Sequence, residues 1–188
     1  MIQTFENFKK PERPGAVAFI VTFLVLISLA GNVAASGTFR DNGDGTLTDN
    51  NNRQWMRCSL GQTWDGETCR GEALRFTHED AASKAEETVF AGQNDWRLPT
   101  ANELKKLVYC SSERQMDFTG DNTGGSCMGA YKRPTIDEKL FPGTPPEWFW
   151  TSTTGSSGVF YFVSFANGAV ITCCPSHHSF IRLVRMVD

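Results

Sequence analysis

Asp95-Trp96-Arg97-Leu98-Pro99-Thr100-Ala101-Asn102-Glu103-Leu104 holds a strand end, a turn and a helix start within one short stretch. Leu98 precedes Pro99, whose ring clashes with a helical conformation at the residue before it, so the chain stays extended to that point. Thr100 then sits where a helix needs its cap. Its hydroxyl can accept from the free N–H of Glu103 while the Glu103 carboxylate accepts from the Thr100 N–H, a Thr-x-x-Glu capping box that satisfies two otherwise orphaned donors. Leu104, Leu107 and Val108 follow at helical spacing and give the helix one apolar face. Trp96, Arg97, Thr100 and Glu103 are therefore expected to be structural. Trp96 should pack under the sheet formed by the end of the chain, and Arg97 should make a buried or half-buried pair with a carboxylate, Glu103 or Asp137.

Beyond that helix, residues 111–135 are polar and glycine-rich, a loop long enough to belong to a binding surface. Lys132 and Arg133 form its only adjacent basic pair. Strands are expected over 147–153, 159–165, 169–172 and 180–187, with Asn167-Gly168 as a hairpin turn, giving a terminal antiparallel sheet. Its aromatic residues Trp148, Phe149, Trp150, Phe160, Tyr161, Phe162 and Phe165 do not alternate, so some must meet a second layer or face outward, where a ring could stack on a sugar.

On the other side of the opening stretch, Thr77 caps a first helix whose apolar stripe is Ala82, Ala85 and Val89 and which Gly92 ends. Earlier still, 38–40 and 46–48 flank Asp41-Asn42-Gly43-Asp44-Gly45. A calcium loop would need side-chain oxygens where Gly43 and Gly45 stand, so this is a β-hairpin. A strand begins at Gln54. Together these elements predict an α+β domain, with two helices packed on antiparallel sheet and disulfides stapling the loops.

At the amino terminus, Lys9, Lys10 and Arg13 lead into an apolar run over 16–30, and Val33 and Ala35 place small residues before a cut at Ser36. This is a signal-peptide plan over 1–35 preceding one domain over 36–188, with an uncleaved membrane anchor as the alternative. The run is shorter than the about 20 residues a membrane span needs. Removing 1–35 takes away three of 18 basic and two of 21 acidic side chains and leaves a net charge of −4, a poor balance for nucleic acid. Export to the periplasm, cell surface or medium exposes the six cysteines to oxidation. Proximity favours Cys58 with Cys69 and Cys110 with Cys127. Cys173 and Cys174 could pair only through a strained ring, or one of them could join Cys110 or Cys127.

Cys173-Cys174-Pro175-Ser176-His177-His178 is the one cluster that could carry chemistry. Thiolates and imidazoles would suit a metal- or copper-dependent oxidase using Cys173, Cys174 and His177. The plainer expectation is a disulfide-tied loop with exposed histidines, because adjacent histidines on an extended segment point to opposite faces. No nucleophile has an adjacent base, no phosphate loop follows a strand, and the carboxylates form no acid/base pair. A non-enzyme without a cofactor is expected.

Several stretches together resemble the Lcl C-terminal domain family. They are Gly45-Thr46-Leu47-Thr48-Asp49-Asn50, residues 55–64, Asp95-Trp96-Arg97-Leu98-Pro99-Thr100, Phe141-Pro142, Trp150-Thr151-Ser152-Thr153, Phe165 with Gly168, and Val184-Arg185. The resemblance implies an exported bacterial binding module with a C-type-lectin-like or formylglycine-generating-enzyme-like fold. It is named after a collagen-like adhesin that binds sulfated polysaccharides. Asn51-Asn52-Arg53-Gln54 departs from the family's turn, no collagen-like repeat precedes the domain, and no basic cluster is visible to hold sulfate. Adhesion to a glycan or a cell-surface protein is the expected function, with Lys132, Arg133, Trp148, Tyr161, Asn167, His177 and His178 as candidate ligand-binding residues. A purely structural envelope protein is the further alternative. The mass of the exported protein should correspond to a chain starting at Ser36, and an intact leader on membrane-bound material would establish the anchor instead.

Overall fold

Turn chemistry organises the first sheet. Strands β1 (Phe39–Asp41) and β2 (Thr46–Asp49) pair antiparallel. In the turn between them, Asp41 Oδ1 accepts from the Gly43 N–H at 2.9 Å and Asp44 Oδ1 from the Thr46 N–H at 3.0 Å. Both aspartates bond within their own turn, as in a hairpin, and Asp41 Oδ2 also accepts from the Arg57 guanidinium at 2.7 Å. Strand β3 (Arg53–Met56) adds beside β2 with every residue buried. Asp49, at the end of β2, accepts from the Trp55 indole at 3.1 Å and the Arg53 guanidinium at 2.8 Å. Burial works against its charge, but the bonds from Trp55, Asn51 and Arg53 outweigh it and hold the carboxyl below its ordinary range. The computed structural model describes residues 38–119 and 122–187, so residues 1–35, expected from sequence to be a signal peptide or membrane anchor, lie outside the described residues.

Two disulfides staple the loops. Cys58–Cys69 closes a ribbon of β4 (Thr63–Trp64) and β5 (Cys69–Arg70), and Cys110–Cys127 ties down the long loop. A cross-link of that span restricts the unfolded chain by about 3 kcal/mol. The third bridge is absent: Cys173 and Cys174 are free thiols, and neither joins Cys110 or Cys127, which already meet at a Cα–Cα distance of 5.5 Å.

Helix α1 (His78–Glu87) is capped by the Thr77 hydroxyl, which accepts from the Asp80 N–H. Its buried residues are Ala81 and Ala85, and it stops at Thr88, ahead of the expected Gly92. Val89, placed on the apolar stripe from sequence, lies beyond the helix and is 75% exposed, because the chain turns extended at Thr88. Helix α2 (Ala101–Leu104) opens on the expected capping box but lasts one turn before tightening into a 3-10 turn over Lys105–Leu107. Val108 therefore leaves the helix and bridges Ile136.

A second antiparallel sheet runs β6 (Trp148–Thr154), β7 (Phe160–Ser164), β8 (Val170–Cys173). It is buried on both faces. Phe149, Val163 and Val170 enter a core with Leu47, Trp55 and Leu104, while Trp150 and Phe162 enter another with Ala81, Ala85, Trp96 and Leu98. This double burial is why the aromatic residues read without a clean period-two pattern. At the β7–β8 turn Gly168 has φ +82°, and a Cβ there would meet Val108 Cγ1 at 2.8 Å, so only glycine lets the turn seat on the disulfide loop.

The fourth expected strand of that sheet goes elsewhere. The bond from Trp150 N–H to Phe180 O lays residue 180 parallel to β6, after which β9 (Val184–Met186) pairs with β3 and completes the first sheet as β1-β2-β3-β9. Alternate residues serve opposite cores: Phe180 and Val184 face one, Ile181 and Leu183 the other. A segment buried on both sides fits between two sheets rather than on an edge. Within it Arg182 is fully buried, with no carboxylate paired to it among the described residues. Its guanidinium donates to Met56 O at 2.9 Å, to Arg57 O and to Thr144 Oγ1 at 2.7 Å, and lies 4.8 Å from the Phe141 ring centroid. Burial lowers its pKa to about 9, which leaves it protonated at neutral pH. Arg182→Met should cost about 2–5 kcal/mol in urea unfolding by orphaning these acceptors. Arg182→Lys should recover little, because one ammonium cannot reproduce the planar fork.

Candidate functional site

The opening stretch is the joint between the two sheets. Arg97 exchanges backbone hydrogen bonds with Val184 at 3.0 Å in each direction, Pro99 O accepts from Ser152 N–H at 2.8 Å, and Ala101 N–H donates to Thr153 Oγ1 at 2.9 Å. Trp96 is buried in the second core, its indole donating to Phe90 O at 3.1 Å. Arg97 grips Glu103 through two bonds of 2.9 and 2.8 Å, so Glu103 rather than Asp137 is its partner. A groove of about 210 Å³ beside this joint is lined by His78, Ala82, Trp96, Arg97 and Ser152 among others. Its cation is already committed to Glu103. Desolvation lowers the His78 pKa against a raising contact with Thr151 O, and the ring stacks on Phe160 at 3.6 Å, so His78 is a neutral packing group near pH 7.

The residues expected to bind ligand are distributed by the fold into separate places. Trp148 and His177 meet with ring centroids 5.0 Å apart, and His177 stands edge-on to Phe162. His178 is exposed. Tyr161 is half-buried against the first core. Asn167 serves its own turn, Oδ1 accepting from Ala169 N–H at 3.1 Å and its carbonyl from Cys127 N–H at 2.8 Å. Among the described residues, no group of three or more His, Cys, Asp or Glu side chains is gathered as a metal ion would require.

Lys132 lines an open cleft of about 170 Å³ with Tyr109, Ser111, Asp137, Glu138 and Lys139. Arg133 lies beside it over the Tyr131 ring at 5.7 Å. The cleft floor is rigid: Tyr109 N–H donates to Thr135 O at 3.0 Å, Lys132 N–H to Ser111 Oγ at 2.7 Å, and Cys110 next door is bridged to Cys127. Tyr109 presents its ring to solvent with 54% exposure. Sequence reasoning missed it because a lone aromatic at the end of a helical segment carries no periodic signal. Its place immediately before a bridged cysteine was the available cue. Chemically the cleft combines one aromatic face, a hydroxyl, two carboxylates and two ammonium groups, and so can both stack and hydrogen-bond a polar ligand.

A family model for the Lcl C-terminal domain matches residues 45–185. No curated protein and no solved structure matches the chain. Within the described residues no helix is long and apolar enough to cross a membrane.

The matched span includes the Arg97–Glu103 pair, which has a signature in pH. Burial raises the Glu103 pKa, but the bonds from Arg97 and from the Thr100 N–H outweigh it and bring it from 4.5 to about 2. A carboxyl whose folded value lies below its unfolded one contributes stability that is complete above pH 4.5 and is lost as the pH falls toward 2. Glu103→Gln keeps a capping side chain without the charge, so the slope of unfolding free energy between pH 4.5 and 2 should flatten in that variant. Arg97→Ala should lower stability at neutral pH by about 1–3 kcal/mol. An unchanged urea midpoint would remove Arg97 from its structural role.

Proposed function

The chain belongs to the Lcl C-terminal domain family, and on that premise we propose that it is an exported recognition module that binds a glycan or a cell-surface protein without catalysing a reaction. The observation that carries this reading is Tyr109, an exposed ring on a backbone anchored next to a disulfide, lining a polar cleft. An aromatic face held rigid loses little conformational entropy on stacking against a sugar ring or an apolar side chain. Ser111, Asp137 and Lys132 line the same cleft and would exchange hydrogen bonds with a ligand's hydroxyl groups. A lectin-like arrangement, in which loops rather than sheet faces meet the ligand, fits a protein whose sheets are both committed to cores. Cations and anions are mixed at the cleft, so recognition is directional rather than driven by a strong positive field.

Binding to a broad glycan array and to surface extracts of the producing cell tests the proposal. Tyr109→Ala should weaken the binding found there about tenfold or more. Its unfolding midpoint should not move, since the ring is exposed. Absence of any binding by the unmodified protein in both formats would overturn it.

A further inference from the structure

Four of the six cysteines are bridged, and Cys173 and Cys174 are the two that are not. Their sulfurs lie 3.3 Å apart. Cys173 ends β8 opposite Phe160 and is half-buried, while Cys174 is exposed. The turn they open is pinned on both sides. His177 N–H donates to Cys174 O at 3.2 Å, His78 N–H at the start of α1 donates to Pro175 O at 3.1 Å, and the His177 ring rests against Trp148. The two thiols are chemically unequal as well. Hydrogen bonds from Cys173 and then Ser176 hold the Cys174 thiol below its ordinary range, whereas its bond with Cys174 raises that of Cys173. The exposed sulfur is the one an incoming disulfide can reach, and the half-buried one stands behind it.

We propose that Cys173 and Cys174 form a thiol–disulfide exchange site that accepts two electrons' worth of oxidation from an external disulfide. The Cys174 thiolate attacks one sulfur of the incoming disulfide, forming a mixed disulfide and expelling the other sulfur as a thiolate. Cys173 then gives up its proton, attacks the Cys174 sulfur and expels the second thiolate. The external disulfide leaves as two thiols, carrying the two protons released by the pair, and the protein keeps a Cys173–Cys174 disulfide. A bridge between neighbours closes a small ring around their shared peptide bond. Strained, exposed disulfides are the easily reduced ones, so this step reverses under conditions that leave Cys58–Cys69 and Cys110–Cys127 intact. Closing the ring must also adjust the end of β8 and the turn that holds His177 on Trp148, which couples the redox state to an indole.

The test uses the full chain in buffers of varied reduced-to-oxidised glutathione ratio, alkylated with two mass-distinct reagents and mapped by peptide. The Cys173–Cys174 peptide should lose two hydrogens and regain them on mild reduction while the other four cysteines stay bridged. Tryptophan fluorescence should follow the same curve, and Trp148→Phe should abolish that change. Cys173→Ser should accumulate glutathione on Cys174, and Cys174→Ser should acquire its adduct about tenfold more slowly. Thiols that stay alkylatable at every ratio would overturn the proposal. So would a bridge that opens only together with the two structural ones, since that pair would be a third structural disulfide. A Cys173→Ser protein that takes up no glutathione would overturn the assigned order of attack.

Discussion

A guanidinium sealed from water and held by neutral acceptors is the constraint around which this domain is assembled. Moving a charge into an apolar interior is costly unless its hydrogen-bonding capacity is met. At Arg182 the acceptors come from two separate segments: residues 56–59, which supply the Met56 and Arg57 carbonyls and the Ser59 hydroxyl, and Thr144 in the turn after Phe141. Neither segment can be misplaced without costing the cation acceptors, and its buried Nε already has no hydrogen-bond partner among the described residues. The residue therefore works less as a source of net stability than as a condition on arrangement. Phe180 and Val184 then fall into one core, and Ile181 and Leu183 into the other.

What could be read in the sequence follows the range over which each signal acts. The capping box at Thr100 and Glu103, the Thr77 cap, the aspartate-rich hairpin and the two short-range disulfides are all settled within about twenty residues, and each stands where the sequence placed it. Partner choice is a different problem. Residues 180–187 carry good strand composition, but nothing local says that β9 will lie beside β3. The clue was Arg182 itself, a cation within Phe180-Ile181-Arg182-Leu183-Val184, since a permanent charge in a run apolar on both faces must find buried acceptors. Val89 failed for the opposite reason: a spacing that suits a helix was continued past the point where Thr88 ends it.

The candidate binding residues were legible only as types. Aromatic and basic residues near the terminal sheet were singled out, yet Trp148 and Tyr161 are drawn into packing and Asn167 into its own turn. Tyr109 stays outside because the residue after it is anchored by the disulfide and its backbone is paired with Thr135, which leaves the ring no interior to enter. Exposure of a large ring on a stiff support is a property of tertiary structure. Composition cannot report it.

The pairing of β3 with β9 also bears on when the chain can fold. Trp55 faces Val184 across that pair, so the first sheet and both cores lack a wall until residues 179–186 are present. Contacts this far apart in sequence are slow to form, because the entropy of closing the loop is lost before the contact repays it. A nascent chain emerging from one end has its hairpin and helix caps early but no closed core until the last of these residues arrives. Such a chain lacks a closed core along most of its length during synthesis, so the domain is completed only by its last strand.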